Sequence, residues 1–123
     1  MHAGGSKVPM LDASGAEQGS AKVNLGKGSV NVKVALVPLP ATVDTGTAQF
    51  EATIYKAYLL SSTDAAVEIP LANVYPTTKS KAVVKAALKG DVSLLGLDRV
   101  VIVAFSKDGL SSFDVLTGTL AAQ

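Results

Sequence analysis

Ser29-Val30-Asn31-Val32-Lys33-Val34-Ala35-Leu36-Val37 is the stretch that decides the fold. Val30, Val32, Val34 and Leu36 fall on one face of an extended chain; Asn31, Lys33 and Ala35 fall on the other. That period of two, written in β-branched residues, predicts a half-buried strand. Gly26-Lys27-Gly28 just before it supplies a tight reversal, and Ala21, Val23 and Leu25 alternate upstream. Residues 21–37 therefore read as a hairpin.

The same reading extends downstream. Residues 48–60 predict a long strand in which Phe50, Ala52 and Ile54 share a face before Tyr55, Ala57 and Leu59 take over the apolar phase. A change of phase at Tyr55-Lys56 predicts a bulge there. Val67, Ile69 and Leu71 alternate, with Glu68 outward. Residues 79–90 carry helix formers and a terminal Gly90, but as a strand they put Val84, Ala86 and Leu88 inward and Lys85 and Lys89 outward. The neighbouring strands favour the strand. Asp98 to Phe105 is apolar on both faces, as at a sheet centre. Lys107-Asp108-Gly109 then predicts a hairpin turn into a last strand from Phe113 to Leu120. Pro38-Leu39-Pro40 ends the first hairpin, and residues 42–47 read as a loop. The expectation is an all-β chain: a single antiparallel β-sandwich, immunoglobulin-like and Greek-key in style, of about seven strands.

Residues 1–20 read as an N-terminal extension to a sandwich domain over 21–123. Residues 1–6 are a Gly-containing tail, and 12–20 a loop rich in small and polar residues. Between them, Val8, Pro9, Met10 and Leu11 form a short apolar segment. Pro9 lacks an N–H, so a strand over 7–11 lies at an edge or pairs on one side only.

Composition narrows the function. A chain of 123 residues is one domain. Eleven basic and ten acidic residues give a net charge of +1, and they show no basic stripe along the sequence, so no nucleic-acid partner is expected. Charged residues make up 17%, below the usual quarter, which suits an extracellular or cell-surface protein. No apolar run is long enough for a membrane span. The first residues have no hydrophobic signal region, so a secreted precursor would have lost its leader.

Catalytic chemistry is not legible. His2 is the single histidine and there is no cysteine, too few ligands for the common zinc and copper sites. Asp12, Asp44, Asp64, Asp91, Asp98, Asp108 and Asp114 each lie within two residues of a glycine or serine and mostly read as turn residues. Tyr55, Tyr58 and Tyr75 serve a ligand groove or sheet packing. The chain is expected to be no enzyme and to carry no cofactor.

Several stretches resemble the extracytoplasmic β-sandwich of anti-sigma-K-type regulators. They are Gly19-Ser20-Ala21-Lys22-Val23, Leu39-Pro40, Ile54-Tyr55-Lys56-Ala57-Tyr58-Leu59-Leu60 and Leu97-Asp98-Arg99-Val100-Val101-Ile102-Val103. The resemblance implies the sandwich alone. That family's sigma-binding helices and membrane span have no counterpart in this sequence, so its regulation does not follow.

Two functions fit these observations. In the first, the chain is a secreted structural subunit that polymerises with copies of itself by donor-strand complementation, with Val8, Pro9, Met10 and Leu11 as the assembly interface. In the second, it is a monomeric extracytoplasmic ligand- or protein-binding sensor module.

Overall fold

A computed structural model of the chain describes residues 6–24, 28–61, 68–88 and 97–120. The Gly26-Lys27 turn, Leu25, Val67, Lys89, Gly90, Asp64, Asp91 and His2 lie outside the described residues. Every regular element described is a strand: β1 (Ser6–Leu11), β2 (Glu17–Asn24), β3 (Ser29–Ala35), β4 (Ala41–Asp44), β5 (Gln49–Leu60), β6 (Glu68–Val74), β7 (Lys81–Ala87), β8 (Arg99–Ser106) and β9 (Ser112–Thr119). All pairings are antiparallel.

The strands form one continuous curled sheet, a half-barrel, in the order β4-β5-β8-β9-β1-β2-β3-β7. β6 shares an edge of β5 with β4: β4 pairs with Ala52 and the residues before it, β6 with Tyr55 and those after it. The all-β antiparallel class is as expected. The described strands stay joined along a single hydrogen-bonded path, though, because β1 has a neighbour on each side. Those two sides are unequal. β1 pairs with β2 from Ser6 to Leu11, but with β9 only at Leu11↔Thr117. Pro9 offers no N–H to a ladder; the strand around it is expected at an edge or paired on one side only, but it lies between two neighbours, with its ladder to β9 short.

The organising stretch behaves as its pattern requires. Val30, Val32, Val34 and Leu36 are buried, as are Ala21 and Val23 across the hairpin. β7 is a strand beside β3, with Ala82 and Val84 inward and Lys85 exposed. β8 is central, and Val100 to Ala104 are buried on both faces. Inward side chains from both halves of the sheet, among them Met10, Val32, Tyr55, Leu59, Ile102 and Leu116, join one core cluster.

Some boundaries move. β5 does change phase, but the register slips between Ala52 and Ile54 against β8, just before the expected position. Residues 42–47 are not all loop: Ala41 and Val43 point inward from β4. Asp44 then accepts the Gly46 N–H at 2.8 Å in the turn to β5. β2 begins at Glu17, inside the segment read as linker, because Gly19 allows a bulge opposite β1. The register there slips between Pro9 and Leu11, and Gly19 takes φ +148°. β1 is thus an internal strand, and residues 6–11 and 17–20 belong to the same sheet as the rest.

Candidate functional site

The four residues expected at an assembly interface divide by the strand alternation. Val8 and Met10 point into the chain's own core, Met10 fully buried; Pro9 and Leu11 face outward. The apolar segment too greasy for a free tail is covered by its own domain.

Two other features offer binding surfaces. The first is a groove of about 470 Å³ at one end of the curled sheet. Leu36, Val43, Tyr55, Phe113, Val115 and Leu116 give it apolar walls, and the β1–β2 loop forms a polar rim through Asp12 and Ser14. Each wall has a simple cause. Tyr55 lies just past the β5 register slip, which turns its ring inward; its hydroxyl donates to the Val37 carbonyl at 2.9 Å. Burial raises its pKa. The rim is tied by Asp12, whose Oδ1 accepts the Ser14 N–H (2.9 Å), the Ser14 hydroxyl (2.6 Å) and the Ala16 N–H (3.0 Å). Gln18 Nε2 donates to its Oδ2 at 2.9 Å. These bonds, the Ser14 hydroxyl first, lower the Asp12 pKa from 3.8 to about 2. Asp12 is a turn residue, as read; so are Asp44 and Asp108, which accepts from the Ser106 hydroxyl and the Leu110 N–H. Asp114 instead lies within β9, opposite Val103.

The second feature is a charged sheet face. Register sets Lys7 opposite Lys22, Lys22 opposite Asn31, and Asn31 opposite Lys85. One row away, Lys33 lies between Ser20 and Val83, and Lys81 lies opposite Ala35. All five lysines are exposed, on the side of β1, β2, β3 and β7 away from the core. Among the described residues, none is ion-paired. No contiguous basic stretch announced this face, because its charges come from positions 7, 22, 33, 81 and 85. The available signal was that each amphipathic strand places its lysines at polar-phase positions.

The aromatic residues separate likewise. Tyr58 is half-buried on β5, and Tyr75 is exposed, its oxygen 3.1 Å from Asn73 Nδ2. Among the described residues no three His, Cys, Asp or Glu side chains converge in a way that could hold a metal ion. No described helix is long and apolar enough to cross a membrane. No protein-family model matches the chain, and neither do the curated proteins or the solved structures.

Proposed function

We propose that this chain is a non-catalytic binding module, working outside the cytoplasm, whose groove holds a small, largely apolar molecule. The observation that supports the reading is the groove: about 470 Å³, apolar walls and a few fixed polar groups at the rim. Small-molecule sites have this size and composition. A buried Tyr55, braced against the Val37 carbonyl, gives it a rigid wall. NMR titration with apolar fragments such as indole and cyclohexanol tests it. The expected result is amide shifts around Val43, Phe113 and Leu116, lost in Val37→Trp, which fills the groove from an exposed lining position. Shifts scattered over the surface, or unchanged in that variant, overturn it.

One observation favours a second reading, the homopolymer. β1 meets β9 at a single register pair, so exchanging β1 between copies breaks few main-chain bonds besides its ladder to β2, and the core packing of Val8 and Met10 that it gives up is remade in the recipient copy. Val8, Pro9, Met10 and Leu11 of one copy then occupy this slot in the next, and such head-to-tail contacts extend into filaments. Native mass spectrometry over a range of concentrations separates the two. A 12.5 kDa species throughout supports the monomeric module, and a ladder of multiples supports exchange.

A further inference from the structure

The lysine face has no role in either reading, and it is not cheap to keep. Lys7 and Lys22 are direct cross-strand partners, and like charges directly opposite destabilise a sheet. Lys22, Lys33 and Lys85 all surround Asn31, so the repulsion extends beyond one pair. Five of the chain's eleven basic residues stand here. The four strands carry one acidic residue, Glu17, on the end of β2 opposite Leu11. A net charge of only +1 therefore conceals a strongly polarised molecule. Such a patch focuses a positive potential toward solvent.

From this we infer that the outer face of β1, β2, β3 and β7 binds an acidic polysaccharide, a flexible chain bearing carboxylate or sulfate groups. Three features select that partner among polyanions. The five cations are all lysine, hydrated point charges without the planar fork that grips phosphate bidentately. The strands of this face contain no aromatic residue, so unstacked bases find no platform and single-stranded nucleic acid is disfavoured. The core lines the inside of the curl, which makes the lysine face its convex outside. A flat membrane meets few of these lysines at once, whereas a flexible polymer can follow the curvature. The patch spans three strand spacings, about 14 Å, and about 13 Å along β7 from Lys81 to Lys85. That is room for several sugars with regularly spaced charges.

The test is binding of labelled polygalacturonate and heparin to the full chain at low and at physiological salt. The expected result is binding that weakens with salt and falls more than about 25-fold in Lys22→Glu/Lys85→Glu, each lysine facing an anionic surface being worth about fivefold. Lys56→Glu/Lys107→Glu makes the same charge change away from the face and should alter affinity less than about twofold. Lys22→Gln/Lys85→Gln, which removes the two positive charges without adding negative ones, should give an intermediate loss and guards against misfolding of the first variant. Lys22→Glu alone should raise the melting temperature, since it turns the repulsion with Lys7 into attraction. No binding at low salt, equal losses in the two charge-reversal pairs, or tighter binding to duplex DNA or phosphatidylglycerol vesicles overturns the proposal.

Discussion

Met10 on β1 and Gly118 on β9 face each other so closely that a Cβ placed on Gly118 would lie 2.8 Å from the Met10 sulfur. It would also meet Val100 at 3.0 Å and Val8 at 3.1 Å. Where the ladder between β1 and β9 is reduced to one pair, this packing holds the seam. Gly118→Ala should cost about 1–3 kcal/mol by overpacking. Adding Met10→Ala should relieve part of that cost, although Met10→Ala alone loses about 2–5 kcal/mol through its cavity. Chemical denaturation of both single variants and the double variant gives the coupling; strict additivity would show the contact to be unimportant.

Gly19 and Gly46 provide an internal comparison. A Cβ on Gly19 would lie 2.2 Å from the Lys33 carbonyl oxygen, an atom of the β3 backbone that cannot swing aside. Gly46, at φ +90°, has open space around it. Gly46→Ala should therefore cost only its backbone strain, about 1–3 kcal/mol. Gly19→Ala should cost more and shift the β2 amide resonances. Equal losses would mean that the bulge is soft.

Val32 and Ile102 are both fully buried, one in each half of the sheet. Val32→Asp or Ile102→Asp buries a carboxylate with no partner, at a cost comparable to the roughly 5–15 kcal/mol total stability of a domain. Either variant should give an unfolded or insoluble chain by circular dichroism; wild-type melting of either would show its strand face to be misassigned.

The Asp12 carboxyl, held near 2 against an ordinary 3.8, stabilises the β1–β2 loop only while ionised. Its contribution is complete above the ordinary value and is lost as the pH falls through the folded one. In melting curves across pH, wild type should exceed Asp12→Asn by a constant margin above 3.8, and that margin should shrink toward pH 2. A margin that persists undiminished at pH 2 would assign the stabilisation to something other than the charge.

Removing residues 1–12 deletes Val8 and Met10 from the core and leaves β2 and β9 without the strand between them. The truncated chain should fail to fold by itself. A synthetic peptide covering residues 6–11 should restore folding if β1 can be supplied in trans, as strand exchange requires; no rescue at millimolar peptide would count against that second reading.

The strands with uninterrupted period-two patterns were legible from sequence. Val30 to Leu36 and Val100 to Ala104 needed no tertiary information, because their burial follows from alternation or from apolar continuity. β4 was hidden, since four residues ending in Asp44 and followed by Thr45 and Gly46 have the composition of a turn. The place of β1 was left open for a different reason. Val8 and Met10 announced a buried strand, but nothing local says whose core they fill. The lysine face was invisible for a related cause: Lys33 and Lys85 were read as outward, yet only register brings them beside Lys22 and Lys7. The groove depends on the slip between Ala52 and Ile54, which places Tyr55 on the wall, and the sequence located that slip only approximately.

The single register pair between Leu11 and Thr117 also sets the order in which the molecule can be made. β1 leaves the ribosome well before β9, and the sheet path joins them as neighbours. β3 must likewise wait for β7. A partly synthesised chain therefore has Val8 and Met10 uncovered on one flank until β9 has been made. Its long-range pairings also place it among slow-folding topologies. The newborn chain spends that interval with an apolar strand available to any open edge nearby, so its yield in cells should depend on what shields residues 7–11 before β9 emerges.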